Sequence, residues 1–417
     1  MFTVFANAWK IPDIRKRMLY TILIVLIYRL ACHIPLPFID LNALTAYKSG
    51  GSGPNTFYAM MLGGGLGTVA AMGIGPYINA SIIMQLLTVA LPPLEKLQKE
   101  GEQAKISQIT RIVAVGLACL QGIGLTYSYS FQGIFKYHML LAYITAAVVM
   151  VTGTIFIMWL AELLTEKAIG NGASFIVFAN ILAGLPTGVI YLQSTLNSEW
   201  ITWVKAIFVL IIFVIIIGFV IFVQDGERRI SVQYSKKMVG RQLFGGNTSY
   251  IPIKVNIAGV MSIIFAISLL QIPQFLHGFF TQNETLGKLT SLLSISHPVG
   301  AISYVVLIFI FTFFYSSFAL NPLQIAENMR KNGGFIPGVR SGKPTSDYIQ
   351  LVVDRLSWVG ATFYAVIAMI PVIMQWTMGL DLGFGGTTIL IITGVGIDIM
   401  KQMESRLLMR HYKGFLE

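Results

Sequence analysis

Apolar runs of about twenty residues recur along this chain, the first being "MLYTILIVLIYRLACHI". A run of that length is what an α-helix needs to cross a hydrocarbon core about 30 Å thick. Ten such segments can be marked, near residues 18–36, 68–91, 108–127, 138–161, 172–193, 201–223, 256–273, 299–320, 352–375 and 384–400. Composition agrees: of 417 residues, 55% are hydrophobic and 11% charged, and the mean hydropathy is +0.73. Soluble proteins carry about a quarter charged residues. A membrane β-barrel would instead show short alternating segments. The expected fold class is therefore an all-α polytopic membrane protein with ten transmembrane helices. No small-residue cleavage site follows the first apolar run, so that run is expected to remain as a span rather than leave as a signal peptide.

The net charge of +11 has an orderly placement. If the N-terminus is cytoplasmic, the outer loops hold Lys48, Lys136, Lys205 and Lys288, Arg29 lies inside the first span, and every other Lys and Arg falls on the inner side. By the positive-inside rule both termini are expected to be cytoplasmic.

Groups that do chemistry are scarce at membrane depth. Glu162 and Glu166 lie at the inner end of the fourth span, and Asp398 near the inner end of the tenth. Intramembrane ionisable groups are costly and usually functional, so their scarcity argues against a proton- or sodium-coupled transporter. Arg29 is the exception, expected to snorkel or to meet a backbone carbonyl. His33, His138, His277, His297 and His411 look interfacial or loop-borne, and neither a zinc-protease motif nor a phosphate-binding loop is present. "GGGLGT" at 63–68 lacks the Lys-Ser/Thr ending of a phosphate cradle and suits an external loop. Cys32 and Cys119 have no ligand spacing and read as buried small hydrophobes. The chain is expected to be no enzyme, with no catalytic residue, no metal and no cofactor.

Three features need a positive explanation. The second span, "MGIGPYINASIIMQLL", opens on Gly73, Gly75 and Pro76. Gly before Pro suits the start of a half-helix, and irregular backbone at membrane depth is tolerated when buried in protein or lining a water-filled cavity. Residues 55–75 then fold back into an outward-facing cavity; the alternative is an ordinary external loop before a Gly-rich packed helix, and the residues admit both.

Two long loops, 224–254 and 321–348, are the second feature. Loops beyond about 12–15 residues are usually functional. In the first, alternating residues at 229–232 and 242–244 around "SKKMVGR" resemble a small hairpin. Both mix Arg and Lys with Tyr or Phe, suiting an acidic protein surface or RNA phosphates. The third feature is a set of uncharged polar residues within apolar spans: Asn79, Ser81, Gln85, Gln121, Asn256, Ser262, Ser268 and Gln271. Their concentration on spans two and seven suggests helices whose mutual contact is polar and separable, since interhelical hydrogen bonds average about 0.6 kcal/mol.

Taken in order, "GIGPYINASIIMQLL", "KEGEQAKISQITR", "GTIFIMWLAELLTEKAIGNGASFIVFANILAGLP", "ERRISVQYSKK", "PIKVNIAGVMSIIFA", "NPLQIAENMRKNGGFIPGVRSGKPT" and "FGGTTILI" resemble the SecY/Sec61-alpha family of protein-translocation channels, in its bacterial form. The resemblance covers essentially the whole chain. It implies two pseudo-symmetric five-helix halves, 1–193 and 194–417, around a central hourglass pore in the bacterial plasma membrane. Its function would be to pass unfolded, signal-peptide-bearing polypeptides across the membrane and to release hydrophobic segments sideways into lipid.

The same resemblance implies roles for individual residues. A plug at about 55–66 would include Phe57, Tyr58, Met60, Met61 and Leu62. A pore ring would comprise Ile74, Ile78, Ala173, Val177, Ile264 and Ile391, where Ala173 and Val177 depart from the isoleucine-rich pattern. Flexible apolar residues at a narrow waist resist wetting yet yield to a passing chain. Lateral-gate positions would be Gln85, Gln121 and Asn256. The loops would dock the SecA ATPase, the ribosome, or both, through Arg340, Arg241, Lys236, Lys237, Arg330 and Lys331. SecE and SecG would be the small partner subunits. A secondary transporter with a discontinuous helix is the rival reading; it would favour a midplane carboxylate or a second broken helix.

Overall fold

The computed structural model describes residues 9–44, 65, 67–137, 139–168, 170–195, 200–234, 237–239, 242–244, 248–273, 284–378 and 386–413. It is a helical, polytopic membrane protein. Among the described residues four stretches are long and apolar enough to cross a membrane: Gln103–Phe131, Leu140–Lys167, Pro298–Lys331 and Lys343–Met374. The pair Gly75–Ala90 and Pro92–Gln98, bent by 102°, is a fifth if taken as one span.

The chain divides into two compact units. One holds Met1–Trp203, Gln271–Leu292 and Asp381–Glu417; the other holds Val204–Leu270 and Leu293–Leu380. The C-terminal helix packs on a helix of the first unit.

The first unit is built on α1 (Pro12–Ala31), α2 (Gly75–Ala90), α3 (Pro92–Lys99), α4 (Gln103–Phe131), α5 (Leu140–Lys167) and α6 (Gly172–Thr195). Helix α1 begins and ends about five residues before the expected span. Pro12 and Asp13 open its first turn, and residues 32–36 leave the helix to pair with the chain ahead of α2. Its outward face carries Leu19, Ile22, Leu23, Leu26 and Leu30, all exposed. In a membrane that face meets lipid, so exposure there carries no hydrophobic cost.

Helices α4 and α5 pack through small residues. Thr110, Ala114, Ala118, Gly122 and Thr126 form a buried stripe at intervals of four on α4, and Ala142, Ala146, Met150 and Thr154 form its counterpart on α5. Small residues let helix backbones approach closely where lipid removes the hydrophobic drive to associate. Cys119, on the α4 face away from this stripe, is exposed, against the expectation of burial; Cys32 is buried as expected.

The irregular backbone ahead of α2 is held the same way. Pro35 bridges Thr68, Leu36 N–H donates to the Gly67 carbonyl at 2.9 Å, and Val69 N–H donates to the Ile34 carbonyl at 3.0 Å. Ala70, Met72 and Ile74 are buried, and Pro76 sits in the first turn of α2. Gly153 on α5 lets this segment pass, because a Cβ there would run into the Val69 carbonyl.

The second unit begins with α7 (Trp200–Asp225), shared across the boundary, and then β1 (Glu227–Tyr234), β2 (Lys237–Val239), β3 (Gln242–Phe244) and β4 (Thr248–Lys254). The strands β1 and β4 pair antiparallel, with Ile230 opposite Ile251, while among the described residues β2 pairs with β3, Met238 opposite Leu243. The hairpin is therefore longer than the sequence suggests: residues 229–232 face 249–252, and 242–244 belong to a separate tip ribbon. The next helices are α8 (Met261–Leu270), α9 (Glu284–Leu292, assigned to the first unit) and α10 (Pro298–Ala319). Then come α11 (Pro322–Lys331), β5 (Gly334–Phe335) and the 36-residue α12 (Lys343–Met378). The last helix, α13 (Gly386–Lys413), belongs to the first unit, where it packs on α6.

Overpacking a close backbone contact costs about 1–3 kcal/mol. Gly153→Val is expected to lower the apparent unfolding midpoint in detergent and the level accumulated in membranes. Gly218→Ala, with no atom within 4 Å of the added carbon, should leave both unchanged.

Candidate docking surface and channel positions

The two long loops form one folded body. Strand β1 is central in the order β4-β1-β5, so the second loop contributes β5 to the sheet of the first. Gln233 pairs with Phe335 and Tyr234 with Gly334. On one face of the sheet Ile230, Val232 and Ile253 are buried against Met329 of α11, Ile336, and Ile349 and Val353 of α12. Alternate residues point the other way. Arg229 pairs with Glu227 at 2.7 Å and lies 4.9 Å from the Tyr250 ring centroid, a cation–π distance.

Arg340 sits at the edge of this body on a constrained turn. Val339 N–H donates to the Ile336 carbonyl at 3.1 Å, with Pro337 and Gly338 at the corners and φ +82° at Gly338. Pro then Gly with positive φ is the composition of a type II turn. Ile336 anchors one side in the core, and the Thr345 hydroxyl donates to the Arg340 carbonyl at 2.8 Å. The Arg340 side chain is exposed, and among the described residues it has no ion-pair partner. Arg330 and Lys331 are exposed in the last turn of α11, where cations complement the helix dipole. Lys237 lies on β2, with its side chain outside the description; Lys236 and Arg241 lie outside the described residues.

Of the channel positions, Ile74 is fully buried at the N-cap of α2, and Ile78 is buried one turn further on. Ala173 is half-buried and Val177 buried on α6, and Ile391 is buried on α13. Ile264 is buried on α8, in the second unit. Phe57, Tyr58, Met60, Met61 and Leu62 lie outside the described residues.

The gate positions are half-buried. Gln85 Nε2 lies 3.4 Å from the Ser81 hydroxyl, and its Oε1 is buried without a partner among the described residues. Asn256 Oδ1 accepts from Gly259 N–H at 2.8 Å and from the Tyr364 hydroxyl, which ties the turn before α8 to α12.

Arg111 Nε donates to Glu162 Oε1 at 2.6 Å, joining α4 to α5. Among the described residues the Arg29 guanidinium meets the side chain of Asn180, at 3.4 Å, rather than a backbone carbonyl. Among the described residues no group of three His, Cys, Asp or Glu is placed to hold a metal ion.

The family model for SecY matches residues 68–400. A protein translocase subunit SecY from Streptomyces galbus is 42% identical over 447 residues, covering 100% of both chains. The chain belongs to the SecY family. The Thermotoga maritima member is 37% identical over 436 residues, covering 100% of this chain and 98% of its own. Among solved structures, a protein-conducting channel has a TM-score of 0.70 at 19% identity, with 96% of each chain covered. Sec61 from a canine ribosome-channel complex has a TM-score of 0.65 at 17% identity, again with 96% of each covered.

Within this SecY-family chain, three contacts had no clear sequence signal. The two-residue β5 is too short for periodicity. The partners Asn180 and Glu162 are far in sequence from Arg29 and Arg111, so pairing them requires the helix arrangement.

Cα atoms of paired strand residues lie about 4.5–5.5 Å apart, within disulfide range. Cysteines at Gln233 and Phe335, in a background lacking Cys32 and Cys119, are expected to crosslink readily. Gly334→Val should abolish that crosslink, since a Cβ at Gly334 already approaches the Tyr234 ring to 3.0 Å.

Proposed function

We propose that this chain forms the path for unfolded, signal-peptide-bearing polypeptide, and that a partner seated on the sheet formed by its two long loops drives the movement. As a SecY-family member it is an integral membrane protein of bacterial type and a protein-conducting channel subunit of the Sec translocase. The observation that carries this reading is the end-to-end match at 42% identity to a translocase subunit.

Ten spans in two halves, with both termini and both long loops in the cytoplasm, fit the charge asymmetry of the sequence. Ile74, Ile78, Ala173, Val177, Ile264 and Ile391 form the apolar waist, and residues 55–66 the plug. Gln85, Gln121 and Asn256 line a side exit through which hydrophobic segments reach lipid. SecE and SecG are the small partners. Solved relatives include channel complexes bound to ribosomes, from dog and from yeast. The exposed cations Arg340, Arg330 and Lys331 suit RNA phosphates or an acidic surface of SecA alike. A channel of this type does no chemistry of its own, so the driving energy comes from the docked partner.

Arg340 supports this docking role because its turn is held from both sides while its charge stays free. Arg340→Glu is expected to cut driver-dependent export about tenfold or more, with charge reversal at such a contact costing ~2 kcal/mol or more. Membrane accumulation of the variant should be normal; unimpaired export would refute the docking assignment. Separately, a single cysteine at Ile78 or Ile264 is expected to crosslink a stalled export substrate, dependent on its signal peptide and on the driver. Active export with no adduct at either site would place the path elsewhere.

A further inference from the structure

Arg29, the cation that the first apolar span carries, has a role that neither topology nor docking uses. Beside it, Tyr28 is fully buried, and its hydroxyl donates to Asn180 Oδ1 at 2.6 Å. Arg29 Nη1 donates to the same oxygen at 3.4 Å. Asn180 is 2% exposed, and its Nδ2 has no partner among the described residues. One acceptor atom on α6 therefore takes two donors from consecutive residues of α1.

Asn180 also occupies a telling position on its helix. Ala173, Val177 and Asn180 follow the i, i+4, i+7 spacing of a single helical stripe. The flanking Ile176 and Ile181 are buried and apolar. A turn of α6 about its axis would carry the Asn180 oxygen away and put apolar side chains against two donors, one of them charged. Buried donors without acceptors are costly, so such a turn is penalised, most of all at the fully buried Tyr28 hydroxyl.

We propose that Asn180 is a positioning residue for the waist seal: its side-chain carbonyl, gripped by Tyr28 and Arg29, fixes the rotation of α6 and thereby the presentation of Val177. The proposal rests on the reading of Val177 as a waist position.

The test is resting ion leak through the complete translocase complex in vesicles, with accumulated protein measured in parallel. Asn180→Leu is expected to raise the leak about threefold or more, in line with the loss of an interhelical hydrogen bond. Asn180→Asp keeps the acceptor and places a carboxylate beside Arg29, so it should seal like the native chain. Tyr28→Phe keeps the buried ring and removes one donor bond; it should accumulate normally and leak measurably.

Val177→Asn reports on the waist itself. A leaky Val177→Asn beside a tight Asn180→Leu would overturn the tether and leave the waist reading standing. If both variants stay tight, the waist reading falls and takes the tether with it. An Asn180→Asp that leaks as much as Asn180→Leu would also overturn the proposal, because the acceptor would not be what matters. If Asn180→Leu fails to accumulate, Tyr28→Phe decides: no change in leak overturns the tether.

Discussion

Backbone that leaves the helix inside a membrane has to find its hydrogen bonds and its cover within the protein. Residues 67–74 meet that demand in this chain. The Gly67 carbonyl and the Val69 amide pair with residues 34–36, turn bonds such as Ala71 N–H to the Thr68 carbonyl and Gly73 N–H to the Ala70 carbonyl take others, and Ala70, Met72 and Ile74 are buried. The cover depends on Gly153, whose missing side chain leaves room for the Val69 carbonyl. The small-residue stripes of α4 and α5 bring those two helices close around it. The broken second span is thus a consequence of how its neighbours pack, and α2 can begin at Ile74 with no hydrogen bond from a capping side chain.

The second unit is organised around the sheet that its two long loops share. Ile349 and Val353, near the start of α12, belong to the core beneath the sheet. Further along the same helix, Trp358 makes edge contacts with Phe309 and Phe313 of α10, at centroid distances of 5.7 and 5.2 Å. Helix α10 also packs on α8, with Phe265 5.7 Å from Phe311. A single continuous helix therefore lies beneath the sheet and runs on through a stretch long and apolar enough to cross a membrane. Packing contacts thus run without a break from the core beneath the sheet to α10 and α8.

Much of this was legible in the sequence, for reasons that can be separated. Apolar runs place helices well because length and composition are local properties, and Pro76 marked the start of α2 because proline fixes the first helical turn. Boundaries were less legible where pairing partners decide them, as at the end of α1, where residues 34–36 leave the helix to bond residues 67–69. The hairpin was seen but misregistered, because alternation in 229–232 fits any antiparallel partner, and the burial of Ile253 with the partly buried Ile251 selects β4. Arg29 was rightly singled out, yet its partner was missed, since an asparagine in an apolar run gives no sign of which helix it faces. Arg340 was singled out through the resemblance of the motif around it, not through its turn chemistry; that β5 joins the two loops was not visible.

The contrast between Arg29 and Arg340 shows how the chain spends its cations. Arg29 is half-buried beside a neutral amide, which supplies direction without introducing a carboxylate at membrane depth. A buried ion pair gains little over apolar packing and becomes expensive when one partner is lost; an amide acceptor avoids that liability while still penalising rotation. Arg340 is the opposite arrangement, with a free guanidinium on a backbone that Gly338, Ile336 and Thr345 have already ordered. Ordering a loop at the moment of binding consumes affinity, and a turn fixed beforehand avoids that loss. The same residue type is therefore held by a side-chain acceptor in one unit and left exposed on an ordered turn in the other, and the surrounding hydrogen bonds make the difference.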